Sequence, residues 1–119
     1  MKPLVRAVAL AVLAFPAVAL AHAFLDHAVP AVGSTVHGPP AEVRLRFTHE
    51  LEPAFSTVRV FDKSGAQVDR RDKQLDPKDA KLLKVSLPRL APGTYRVTWR
   101  VLSVDTHVTE GDFTFEVVP

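Results

Sequence analysis

Ala91-Pro92-Gly93-Thr94-Tyr95-Arg96-Val97-Thr98-Trp99-Arg100-Val101 is the stretch that decides the fold. Pro92-Gly93 is a turn pair, with proline fixing one backbone angle and glycine admitting conformations closed to other residues. After it, Tyr95, Val97, Trp99 and Val101 alternate with Arg96, Thr98 and Arg100. In an extended chain successive side chains point to opposite faces, so this pattern makes a strand with one buried face and one wet face.

The same period of two recurs on both sides. Phe113, Phe115 and Val117 alternate with Asp112, Thr114 and Glu116, and Gly111 reads as the turn that opens that strand. Upstream, Leu83, Val85 and Leu87 alternate with Lys84 and Ser86, Val58 and Val60 with Thr57 and Arg59, and Val43, Leu45 and Phe47 with Glu42, Arg44 and Arg46. Gly38-Pro39-Pro40 and Asp62-Lys63-Ser64-Gly65 punctuate these runs as turns. Short strands separated in this way predict an antiparallel β-sandwich rather than a parallel sheet. Residues 23–29 are expected to add an edge strand ending at Pro30. Residues 69–82 are charged and irregular, with 76–79 expected as a turn or a single helical turn. No internal repeat or second domain is evident.

Residues 1–21 read as something else. Lys2 and Arg6 precede an uncharged apolar run, Ala7 to Leu20, which closes on Ala19-Leu20-Ala21. A basic region, an apolar region and small residues flanking a larger one make a secretory signal peptide. The run is short of the roughly 20 residues of a spanning helix, and Pro16 interrupts it. Cleavage is expected after Ala21, with Ala23 as the competing position, leaving one domain over 22–119. The remaining chain carries 13 basic and 13 acidic residues. Neutral overall, with one Trp and one Tyr, it offers no case for nucleic-acid binding.

The chain has no cysteine, and its only methionine is Met1. Thiolate chemistry, Cys-ligated zinc and a thioether site for copper(I) are thereby excluded from the processed form. Five histidines occur: His22, His27, His37, His49 and His107. Cleavage after Ala21 makes His22 the first residue, where its free amine and imidazole Nδ1 can close a chelate ring on a metal. Asp105 and His107, two apart in Ser103-Val104-Asp105-Thr106-His107, point to the same side of an extended segment. An amine, two imidazoles and a carboxylate make a nitrogen-rich set that suits copper(II), which tops the affinity order of the divalent first-row metals. Zinc is the chemical rival. His27 and His37 read as solvent-facing or loop residues.

From His22 onward the chain resembles the CopC family of periplasmic copper-binding proteins. The resemblance rests on His22-Ala23-x-Leu25, Pro30-Ala31-x-Gly33-Ser34, Val43-x-Leu45-x-Phe47-Thr48 and Glu52-Pro53-x-Phe55-Ser56. Above all it rests on Leu90-x-Pro92-Gly93-x-Tyr95-x-Val97-x-Trp99-Arg100 and Ser103-x-Asp105-x-His107-x-x-x-Gly111-x-Phe113-x-Phe115. It implies an all-β, seven-stranded antiparallel Greek-key β-sandwich of immunoglobulin-like or cupredoxin-like type, located in the periplasm. It also implies one copper(II) per chain held by His22, Asp105 and His107, in a monomeric carrier or buffer acting in copper resistance or supply, with a membrane copper importer of the CopD type as a partner. No enzymatic activity is expected. The alternative is a histidine-brace oxidative enzyme of monooxygenase type, against which the anionic Asp105 weighs, because it would oppose reduction of the metal. Where relatives often carry an acidic residue after the Phe-Ser/Thr pair, this chain has His49 followed by Glu50.

Overall fold

The computed structural model describes residues 24–119. The leader, His22 and the competing cleavage position at Ala23 lie outside the described residues. The chain forms eight strands: β1 (Leu25–Val29), β2 (Thr35–His37), β3 (Glu42–Phe47), β4 (Thr57–Phe61), β5 (Gln74–Asp76), β6 (Asp79–Ser86), β7 (Gly93–Leu102) and β8 (Val108–Val118). They build two four-stranded sheets, one ordered β1-β3-β6-β5 and the other β2-β8-β7-β4.

The β-sandwich expectation holds. The alternating residues of β3, β6, β7 and β8 supply its interior: Val43, Leu45, Phe47, Leu83, Val85, Val97, Val101, Phe115 and Val117 are all essentially inaccessible. Full burial of one such Val, Leu or Phe side chain contributes about 1.5–3 kcal/mol. Tyr95 stacks on Phe115 with ring centroids 5.7 Å apart, and its hydroxyl donates to the Ala91 carbonyl at 2.6 Å. One aromatic thus serves the core while satisfying its polar end.

Three details differ from the expectation. Eight strands replace seven, because β2 and β5 are three-residue segments at sheet edges. The β2–β8 pair is parallel, Thr35 facing Glu116 and His37 facing Val118, so the sandwich is not purely antiparallel. Residues 69–82, expected to be irregular, carry β5 and the start of β6, and the turn expected at 76–79 is the tight connection between them. Asp76 pairs with Asp79 across Pro77-Lys78, and Asp76 Oδ2 accepts the Lys78 amide at 3.0 Å.

Gly111 does not open β8 but sits inside it, opposite Trp99. A Cβ placed there would meet Trp99 Cζ2 at 2.6 Å. The indole lies over this glycine and edge-on to Phe47, with centroids 5.1 Å apart. The residue is small because a ring occupies the space, not because the chain turns.

Candidate metal centre

Asp105 and His107 sit in the loop that joins β7 to β8. The loop runs from Ser103 to His107, with Val104-Asp105-Thr106 at its tip. Thr106 N donates to the Ser103 carbonyl at 2.9 Å, and Ser103 N donates to the His107 carbonyl at 2.9 Å. Thr106 takes a left-handed backbone with φ 73°, the third-position conformation that such hairpin loops require. A β-branched residue adopts it only when its surroundings impose it.

Ser103 is the source of much of that imposition. It is 1 % exposed, and its isolated bridge to Leu51 holds it at the end of the sandwich. Its hydroxyl donates to Asp105 Oδ1 and accepts the His107 amide at 3.3 Å. Asp105 Oδ1 and His107 Nδ1 are 3.4 Å apart, with both side chains about half exposed. Metal–ligand bonds of about 2.0–2.2 Å allow one ion to take two donors at such a separation. The carboxyl group of Asp105 is held below the usual carboxylate range. The Ser103 hydroxyl is the largest cause, opposed by partial desolvation and aided by His107 and by the nearby charge of His49.

The segment between β3 and β4 brings His49 to this loop. Leu51, 2 % exposed, plugs the end of the sandwich, its amide donating to Ala80 of β6 at 3.0 Å. Around it, Glu50 O accepts the Val104 amide at 3.0 Å and Glu52 N donates to Leu102 O at 2.8 Å. The buried Ser56 hydroxyl accepts the Leu102 amide at 3.1 Å and donates to the Glu52 carbonyl at 2.8 Å. His49 Nδ1 lies 2.9 Å from Thr48 Oγ1, which fixes the orientation of that ring.

The chain arrives from its N-terminus at the same pole. Phe24 N donates to Thr48 Oγ1 at 3.0 Å, and Thr48 N donates to the Phe24 carbonyl at 3.0 Å. Of the site residues expected from the sequence, Asp105 and His107 are therefore adjacent, and His22 lies outside the described residues. Among the described residues no group of three or more His, Asp or Glu side chains is assembled as a metal site. His27 pairs with Arg46 on the outward face of its sheet, and His37 faces Val118 at the sandwich edge. Sequence reasoning gave no sign of the Ser103 contacts, because a serine in a loop carries no signal of burial or of hydrogen-bond partners.

These features define a small two-sheet β-sandwich that presents a carboxylate and an imidazole side by side on one polar hairpin loop. The chain matches the CopC domain over residues 25–118 and belongs to the CopC family. Its fold is similar to the crystal structure of CopC from Methylosinus trichosporium OB3b, with a TM-score of 0.77, 37% identity, and coverage of 82% of this chain and 95% of that one. It is likewise similar to PcoC, a methionine-rich copper resistance protein from Escherichia coli, with a TM-score of 0.72, 32% identity, and coverage of 82% and 100%. Among curated sequences it is 37% identical over 98 residues to Protein YobA of Escherichia coli strain K12, covering 82% of this chain and 79% of that protein.

Proposed function

We propose that the chain is an exported copper(II)-binding protein whose single site combines Asp105 and His107 with the amine and imidazole of His22. The observation that carries this reading is the convergence of the Asp105–His107 pair and the incoming N-terminal strand at one pole. Two residues of chain reach at most about 7 Å, so a His22 released as the first residue would offer its donors from the Thr48 side of that pole. The name of PcoC, a copper resistance protein, supports copper as the cargo. Unlike a methionine-rich relative, this chain has no methionine after Met1, so its donor set is nitrogen and oxygen only. Such ligands suit copper(II) and give copper(I) nothing soft to bind.

The role that follows is a periplasmic carrier or buffer in copper resistance or copper supply, acting as a monomer and exchanging metal with a membrane importer of the CopD type. It is a binding role and not an enzymatic one, since an anion beside the metal stabilises the oxidised ion and opposes the reduction that oxygen activation needs.

Processing is part of the site on this reading. Copper(II) titration of the chain beginning at His22 is expected to give one tight equivalent, while a chain with one extra residue before His22 binds far more weakly. Mass spectrometry of the exported protein fixes the cut. Equal affinity for the two forms, or an exported protein beginning at Phe24, removes His22 from the site.

A further inference from the structure

Ser103 occupies an unusual position for a side chain near a solvent-exposed ligand pair. It is almost completely buried, yet its one hydroxyl touches both residues of the pair. The hydroxyl donates to Asp105 Oδ1, with the His107 carbonyl a longer acceptor at 3.3 Å, and a lone pair takes the amide hydrogen of His107. Its own amide closes the loop on the His107 carbonyl, and its bridge to Leu51 ties it to the plug of the sandwich. Asp105 and His107 themselves are exposed and have rotamer freedom to lose, whereas Ser103 is fixed by the core. Ligands held by groups that are themselves hydrogen-bonded keep their geometry, and loss of such a partner typically costs about 10–100-fold in metal affinity.

We propose that Ser103 is a positioning residue of the metal centre, its hydroxyl holding the Asp105 carboxylate in the rotamer that sets Oδ1 beside His107 Nδ1. The inference rests on the copper reading above and deepens it. Ser103 sets the carboxylate rotamer and thereby the direction from which Asp105 would meet an ion. It also couples the orientation of the carboxylate to the backbone of His107, so that the two donors are placed as a unit. A carboxylate released from this hydrogen bond is free to turn both oxygens, or neither, toward the ion.

The test uses the chain beginning at His22 and its Ser103→Ala, Ser103→Thr, Asp105→Asn and Ser103→Ala/Asp105→Asn variants, each loaded with one equivalent of copper(II). Ser103→Ala is expected to bind copper(II) about 10–100-fold more weakly and to change the electron paramagnetic resonance spectrum of the bound ion. Ser103→Thr, which keeps the hydroxyl, restores both. In the Asp105→Asn background the further change Ser103→Ala has little additional effect, because the group it positions is gone. Parent-like affinity and spectrum in Ser103→Ala overturn the proposal. So does an equal loss in both backgrounds, which assigns Ser103 to loop folding alone. Failure of the copper reading is distinguishable, because then the parent itself binds no copper(II) tightly and the proposal falls with it.

Discussion

Gly111 shows how a single residue can carry an architectural demand that its own chemistry does not advertise. Its missing side chain is the space filled by the Trp99 indole, which in turn meets Phe47 edge to face. Gly111→Ala would place a methyl 2.6 Å from Trp99 Cζ2, a distance at which the ring must move. Overpacking of a filled core costs about 1–3 kcal/mol, and that loss is the expected result in urea denaturation of the metal-free protein. No change in the midpoint would mean that the indole has a second, equally good seat. In the sequence the glycine reads as a turn, which is the usual meaning of glycine between alternating runs. Only the partner across the sheet gives it the other meaning, and that partner is a tertiary fact. Ser103 is similar: its position before Asp105 is visible, but not its burial or the two residues its hydroxyl touches.

At the scale of elements, the long strands were legible because each writes its two faces into the sequence. Residues 42–47, 57–61 and 93–102 form strands where the alternation places them. β2 and β5 were not legible, being too short to show a period and held by their neighbours rather than by their own pattern. The loops near β4, β5 and β6 are instead organised by carboxylates. Asp62 accepts the Ser64 and Ala66 amides, Asp72 the Ser86 amide, Asp76 the Lys78 amide and Asp79 the Lys81 amide. Each of these four carboxyl groups is held below its ordinary range by those hydrogen bonds, with the Ser64 hydroxyl the largest influence on Asp62. A carboxyl with a depressed folded-state pKa contributes stability above its unfolded value, near 3.9, and loses it as pH falls through the folded value. The metal-free protein should therefore keep a nearly constant melting temperature from neutrality to about pH 4 and lose it steeply below. Asp72→Asn should melt lower at neutral pH and flatten the acid decline. An unchanged profile in that variant would assign the acid sensitivity to the other depressed carboxylates, Asp105 among them.

For the molecule as a whole, the two sheets are joined at the pole of the Asp105–His107 loop by the segment 48–56, with Leu51 as its plug, and no cysteine is present to staple them. Copper(II) bound by His22, Asp105 and His107 would supply a further link, between the strand that begins the fold and the hairpin that ends it. A ligand at one hundred times its dissociation constant stabilises the folded state by about 2.7 kcal/mol, on the order of 10–20 °C in melting temperature for a domain of this size. One equivalent of copper(II) should raise the melting temperature by that order, and His107→Ala should remove most of the rise. Continued stabilisation beyond one equivalent would place a second ion among His27, His37 and His49. The sandwich itself was legible from alternation and turn chemistry. Asp105 and His107 are legible as a pair, but not for the reason the spacing gives: the segment is a turn with Thr106 at φ 73°, not an extended stretch, and it is the turn that sets them side by side. What the sequence could not show is that Thr48 and Phe24 meet.

That meeting bears on the order of events during export. Phe24 is bonded through both its amide and its carbonyl to Thr48, and the proposed cut lies only a few residues upstream. A signal peptidase works on an extended, accessible stretch of chain, and a folded domain abutting the scissile bond denies it one. On the proposed reading, cleavage and the docking of the first strand would compete in time: a molecule that folded first would be a poor substrate and would stay tethered with its amine blocked. The yield of metal-competent protein would then be a kinetic partition, decided at the translocation channel before any copper was met.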